Sequence, residues 1–444
     1  MTKLDAVYAF GLALLVSALA TPLAARFAFR IGAVDHPRER GLSTRETPRL
    51  GGLAIFLAVL AAASLSLIDD PKMRAVLGGG ALIVAVGAID DAREQGLAPL
   101  VKLIGQIGAA VIPVLAGISV SSIRLPFIGV VNFGEAGGPL TVLGLVAMMN
   151  VVNFSDGVDG LAAGVCAISA ITLSVIAFDF ADDSVGAAAS QHAQAAVLAA
   201  LTAGAALGFL IHNFHPASVF MGDSGANLLG LLLGAVAVQG EVKTASVVAL
   251  LFPLVILAVP FLDTGFVVAK RIKYRQPVYG ADASHFHHRL ANIGFSQRRT
   301  VLYLYGWTLA LAGLALAIRF LPWSDHHGHF SDAWIAVLVA FALAVLALSV
   351  YLVIVLEILK FRIGRSGELR RTLGPETSEH EIAAVVAREL ETGEIDALGD
   401  GAPQGDGAPR PDPHAPPAGE PRVARARPSV AESDYAPGPP APRP

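Results

Sequence analysis

The chain has 444 residues, 54% of them hydrophobic and 15% charged, with a formal net charge of −4. Soluble domains carry about 25% charged residues, so this composition excludes an ordinary water-soluble enzyme and points to a membrane protein. The single Cys166 lies in an apolar segment and excludes an intramolecular disulfide.

Windows of about 20 apolar residues, the length that crosses a bilayer, fall at about eleven positions. Their cores are 6–25, 51–68, 75–89, 101–117, 139–152, 161–178, 194–212, 225–239, 246–269, 300–320 and 334–358. The first is long for a signal-peptide core and is expected to be retained. The fifth is short. Eleven crossings leave the two termini on opposite sides. Orientation follows from Lys and Arg in the short loops. Arg26, Arg30, Arg38, Arg40, Arg45 and Arg49 follow the first segment, and Lys270, Arg271, Lys273, Arg275, Arg289, Arg298 and Arg299 follow the ninth. Parity places both loops on one side, which is expected to be cytoplasmic. The opposite loops at 179–193 and 322–333 are poor in Lys and Arg, and Trp323 and Trp334 flank the latter as interface anchors. The stretch 118–138 also falls outside, and its alternating SVSSIRLP and GVVNFG read as a hairpin.

Beyond about Arg365 the composition changes. Ser378 and Glu381 form a capping box ahead of EIAAVVAREL, which predicts one short helix. From Asp400 onward Pro, Ala, Gly and charge dominate, so too little apolar surface remains to fold. The expected organisation is an all-α membrane domain over 1–362, a cytoplasmic linker over 363–399 and a disordered tail over 400–444.

The same parity brings every polar motif to the cytoplasmic side. Asp90 and Asp91 end the third segment, and Lys102 and Gln106 open the fourth. NVVNFSDGVDGLAAG, from Asn150 to Gly164, places Asn150, Asn153, Asp156 and Asp159 three residues apart, hence along one side of a helix. HNFHPASVFMGDSGANLLG runs from His212 to Gly230, and DASHFHHRL from Asp282 to Leu290. Carboxylates at a helix C-terminus oppose the helix dipole, so Asp90 and Asp91 ask for a cation or a proton. Asp223 either caps the helix that follows it or holds Mg²⁺, which takes one or two carboxylates plus phosphate oxygens. GDSGAN lacks the Gly-Lys-Ser/Thr ending of a P-loop. His285, His287 and His288 lie in a basic loop without Cys, a setting that suits phosphate oxygens better than zinc. Acids for a divalent metal, beside His, Lys and Arg for phosphates, describe phosphoryl transfer between a lipid and a water-soluble partner.

The order DD, K-x-x-x-Q, N-x-x-N-x-x-DGxDGLAAG, F-MGDSG and HxHHRL resembles the polyprenyl-phosphate N-acetylhexosamine-1-phosphate transferases, of the glycosyltransferase 4 type. HFHHRL followed by GFSQRRTVLYLYG is closer to the GlcNAc-1-phosphate transferase branch than to the phospho-MurNAc-pentapeptide transferases. The resemblance covers about Asp35 to Arg299. It implies transfer of a sugar 1-phosphate from a UDP-sugar to polyprenyl phosphate, releasing UMP, as the first membrane step of a cell-envelope polysaccharide. On matching positions it implies Asp223 as principal Mg²⁺ ligand, with Asn153 as companion and Mn²⁺ as substitute. It implies Asp90 positioning or deprotonating the lipid phosphate beside Asp91, and Lys102 neutralising phosphate charge. Asp156, Asp159 and Asn213 would line the nucleotide site, Phe220 would stack on uracil, and His285, His287 and His288 would hold the pyrophosphate or sugar. The expected setting is the bacterial inner membrane with a cytoplasmic active site and C-terminus. No nucleic acid is expected, and a homodimer is compatible. One departure stands out: Asp35, Pro37, Arg40, Pro48, Gly51 and Gly52 match the branch, but Gly41 and Ser43 replace its Lys and His.

Two other classes compete. A secondary transporter also carries acids at glycine-broken helices, but its site lies at the midplane between related halves. The CDP-alcohol phosphotransferases need an Arg after D-G-x-x-A, whereas Ala163 and Gly164 follow Ala162.

Overall fold

The computed structural model describes residues 1–35, 46–93, 95–125, 129–239, 297–323 and 331–351. Helix α1, Lys3–Ile31, starts at a capping box between Thr2 and Asp5 and ends at Gly32 in the left-handed region. Strands β1, Val34–Asp35, and β2, Thr47–Pro48, form a short antiparallel pair, and Arg49 forms an ion pair with Asp35. Then come α2, Gly51–Ser66, and α3, Pro71–Asp91. Asp70 caps α3 by accepting from the amides of Lys72 and Met73. Helix α4, Pro99–Leu115, likewise opens on a proline, whose missing N–H costs nothing in a first turn. The hairpin β3, Ser122–Leu125, with β4, Gly129–Asn132, leads through a 3₁₀ turn to α5, Gly137–Ser155. Helices α6, Leu161–Asp182, α7, Ala187–Asn213, and α8, Gly222–Gln239, follow. The described helices close with α9, Gln297–Phe320, and α10, Asp332–Tyr351.

Seven of these helices are long and apolar enough to cross a membrane, and α2 and α4 are shorter apolar helices. The protein is a multi-pass, all-α membrane protein. Leu15, Leu19 and Leu23 of α1 are exposed, as a lipid-facing surface requires. In lipid, helices associate through close packing rather than hydrophobic exclusion, so small residues line the contacts. Helix α7 meets α1 in this way. A Cβ on Gly204 would lie 2.2 Å from the Phe10 carbonyl oxygen, and one on Gly208 would lie 2.3 Å from that of Leu14. The Ser17 hydroxyl bridges the same seam by donating to the Ala205 carbonyl at 2.7 Å.

From α1 to α8 successive helices alternate in direction, so their ends gather at two faces; α9 starts at the same face as α8, with Arg298 against His215, and ends at the other. At one face lie the C-termini of α3, α5 and α7 and the N-termini of α4, α6 and α8, joined by hydrogen bonds among their turns. At the opposite face Lys3 pairs with Asp182, and Arg319 pairs with Asp179 and Asp183. Every expected span except the ninth coincides with a described helix, and the expected hairpin is β3–β4. The ninth span, the helix after Ser378 and the boundaries at 363 and 400 lie outside the described residues.

Candidate active site

The site is organised around the start of α8. Gly222 opens it with φ +71, where a Cβ would lie 2.4 Å from both the Arg49 carbonyl oxygen and an Asp91 carboxylate oxygen. Only glycine fits there. Asp91 accepts from the Asp223 amide at 2.9 Å through Oδ1. Through Oδ2 it accepts from the Ser224 amide at 3.2 Å and the Ser224 hydroxyl at 2.8 Å. A carboxylate at the end of α3 thus caps α8 from outside, satisfying N–H groups that a helix start leaves orphaned. The charge that opposes the α3 dipole is favoured by that of α8. Close approach of the two helices depends on Gly87, whose Cβ would lie 2.4 Å from the Ser224 Cα.

Asp90 points elsewhere. Its Oδ1 accepts from the Leu97 amide, and its Oδ2 lies 2.8 Å from the Lys102 ammonium. Lys102 also donates to Asp223 Oδ2 at 2.7 Å, so one cation joins two acids from different helices. Ligand oxygens of Asp90, Asp91 and Asp223 all lie within 4.8 Å of one another. One turn deeper, Gln106 donates to Asn227 at 2.8 Å and accepts from Asn150 at 2.9 Å, while Asn227 donates to the Asp223 carbonyl at 2.7 Å. These amides fix α4, α5 and α8 against one another beneath the charged groups.

The turn between α5 and α6 brings Asp156 to the same face. This carboxyl is held well above the ordinary carboxylate range, first by burial and then by the charges of Asp223, Asp91 and Asp159. Asn153 is half-buried one turn earlier on α5. Asp159 Oδ2 accepts from His215 Nδ1 at 2.8 Å and from the Ala217 amide at 3.0 Å. Asn213 is buried, and its side chain accepts from the Gly160 amide and donates to the Val219 carbonyl, both at 3.0 Å. Its amide thus ties two turns of the site together. Phe220 is half-buried, and its backbone is tied to Pro48 and Gly51 at 2.8 Å and 3.1 Å.

The fold thus gathers Asp90, Asp91, Lys102, Asp156 and Asp223, with Asp159 joined to the loop that enters α8. His285, His287 and His288 lie outside the described residues. His215, Ser224 and Asn227 were not singled out from the sequence. Asn227 could have been found as the residue one turn beyond Asp223, as Gln106 is beyond Lys102; His215 carried no such spacing signal.

Residues 73–241 match glycosyl transferase family 4. A Bacillus subtilis protein named as a probable undecaprenyl-phosphate N-acetylglucosaminyl 1-phosphate transferase is 37% identical over 314 residues, spanning 70% of this chain and 84% of the relative. This chain belongs to glycosyl transferase family 4. The Mycobacterium leprae decaprenyl-phosphate N-acetylglucosaminephosphotransferase is 38% identical, over 70% of this chain and 83% of its own. A phospho-N-acetylmuramoyl-pentapeptide-transferase of Halalkalibacterium halodurans is more distant, at 30% identity over 70% and 96% of the two chains. The segment matched to family 4 runs from the first turn of α3 through α8, so it contains every described acid of the cluster and Lys102.

Proposed function

We infer that this family 4 transferase moves N-acetylglucosamine 1-phosphate from UDP-N-acetylglucosamine to a polyprenyl phosphate, yielding the polyprenyl diphospho-sugar and UMP. The observation that carries this reading is Lys102 set between Asp90 and Asp223 where several apolar helices end, in a chain 37–38% identical to enzymes named for that transfer. Such a place is open to a lipid phosphate from the bilayer and to a nucleotide from water.

In the proposed reaction an oxygen of the lipid phosphate attacks the β-phosphorus of the UDP-sugar. The bond from that phosphorus to the bridging oxygen breaks, and the electron pair leaves with UMP. Two anionic phosphates must therefore meet, and the protein's task is positioning and charge neutralisation. Lys102 supplies one positive charge at the meeting point. Asp90, held by Lys102 and the Leu97 amide, orients the lipid phosphate or takes its proton. Asp91 acts at one remove, by fixing the backbone on which Asp223 stands.

The donor set also fits Mg²⁺. Both Asp91 oxygens are committed to α8, which leaves Asp223, with Asn153 of α5 as its companion, to hold the ion alongside substrate phosphates. Bound there, Mg²⁺ supplies Lewis-acid neutralisation of the phosphate oxygens. Purified protein in detergent should release UMP from UDP-N-acetylglucosamine only when polyprenyl phosphate is present. EDTA should abolish release, and Mg²⁺ or Mn²⁺ should restore it. Faster turnover with UDP-MurNAc-pentapeptide would move the protein to the other branch, and CMP release from CDP-alcohols would reject the reading.

The arginines beside the site, among them Arg26, Arg30 and Arg49, support a cytoplasmic orientation for this face. In a Cys166→Ala background, cysteines placed at Asp35 or Ser218 should resist an impermeant thiol reagent in intact cells and react in inverted vesicles. Ready labelling from outside would reverse the topology.

A further inference from the structure

Asp159 and His215 form a carboxylate–imidazole pair that the reaction above does not use. They come from different turns, Asp159 from the α5–α6 connection and His215 from the α7–α8 loop. Asp159 Oδ2 accepts from the Ala217 amide at 3.0 Å as well as bonding to His215 Nδ1 at 2.8 Å. A carboxylate oxygen already acting as acceptor requires the imidazole to donate, so Nδ1 carries the proton. In the neutral ring Nε2 is then an acceptor. Nε2 has no hydrogen-bond partner among the described residues, and the imidazole is 32% exposed against 18% for Asp159.

The loop that carries this ring is held from several directions. Asn213 clamps Gly160 to Val219, and the Ser218 amide and hydroxyl donate to the His212 carbonyl at 2.9 Å and 2.8 Å. Arg298, at the start of α9, donates to the His215 carbonyl at 3.1 Å. The same loop runs through Phe220 directly into Asp223. A rigid loop, a ring fixed in one tautomer and one unpartnered acceptor describe a group preorganised for a ligand.

We propose that His215 contacts the UDP-sugar, its Nε2 accepting a hydrogen bond from a hydroxyl or N–H of that substrate, with Asp159 as its positioning residue. This rests on the reaction proposed above. A pair that merely braced the loop would change stability and leave substrate affinity alone. The donor belongs either to the nucleoside or to the sugar, and ligand truncation separates the two.

The test uses full-length protein in detergent, with His215→Phe, His215→Gln, Asp159→Asn and the Phe/Asn double variant. Readouts are kcat and KM from UMP release, and Kd for UDP by calorimetry. Loss of one hydrogen bond to a buried polar group costs about tenfold in affinity, so His215→Phe should raise KM for UDP-N-acetylglucosamine about tenfold. His215→Gln offers an amide oxygen near the Nε2 position and should recover most of that loss. Asp159→Asn should raise KM in the wild-type background and add little to His215→Phe, because both act through one contact. A weaker Kd for UDP places the donor on the nucleoside; an unchanged Kd for UDP with a raised KM places it on the sugar. The proposal is overturned if KM and Kd for His215→Phe stay within about twofold of wild type, or if the two substitutions multiply independently. Should His215→Phe not fold, His215→Ala takes its place in the same comparison. A wild type that binds UDP but releases no UMP overturns the proposed reaction, while the Kd series still decides His215. Failure to bind UDP overturns both.

Discussion

Asp223→Asn should reduce UMP release by about a thousandfold or more while leaving the protein folded. The substitution keeps the side chain's shape and removes its negative charge. That charge stands at the N-terminus of α8, 2.7 Å from Lys102, where the proposed reaction must neutralise two phosphates. Losing about 4 kcal/mol of phosphate neutralisation corresponds to roughly three factors of ten. The fold should tolerate it, because the Asp223 backbone amide and carbonyl, and not its carboxylate, make the bonds to Asp91 and Asn227. The measurement is turnover with excess Mg²⁺, beside a thermal unfolding curve in detergent. Near-normal, metal-dependent UMP release by the variant would remove Asp223 from the chemistry.

Asp91→Ala should fail in a different way, by loosening the start of α8. Alanine would leave the Asp223 and Ser224 amides and the Ser224 hydroxyl without their acceptor, in a place where Ser224 is fully buried. Removing a helix cap costs about 0.5–2 kcal/mol, and each buried donor left unpaired costs about 1–3 kcal/mol. The unfolding midpoint should therefore fall by several degrees, with turnover dropping at least about tenfold as Asp223 loses its fixed position. Asp91→Asn should recover part of the thermal loss, since asparagine caps helices nearly as well as aspartate. An Asp91→Ala protein with an unchanged midpoint and abolished turnover would instead return Asp91 to direct contact with substrate. The two neighbours in Asp90–Asp91 thus differ in kind, and the unfolding curve distinguishes them.

Much of this molecule was legible without coordinates. Apolar windows of bilayer length located the described helices, because in lipid a spanning segment must satisfy its own backbone and keep its charges at its ends. The same constraint made the polar residues informative. An acid such as Asp90 or Asp223 within an apolar chain is expensive, so its presence there signals a use. Alternation of helix direction then brought those residues to one face.

Division of labour among them was not legible. Sequence adjacency made Asp90 and Asp91 look like one device, and side-chain direction alone separated them, sending one to Lys102 and the other to the α8 amides. Asn213 carries the residue type of a ligand contact, and in the fold its amide also accepts from Gly160 and donates to Val219. Its role depends on how two turns meet, across the 53 residues that separate Asn213 from Gly160. His215 is the converse case. A histidine in a loop shows nothing by spacing, and its tautomer follows only from Asp159, 56 residues away. Membrane insertion is a property of each segment's own composition, so the sequence by itself determined the helices and the face they share. Hydrogen-bond partners are set by contacts between segments, so only the tertiary structure decided which polar groups pair with which.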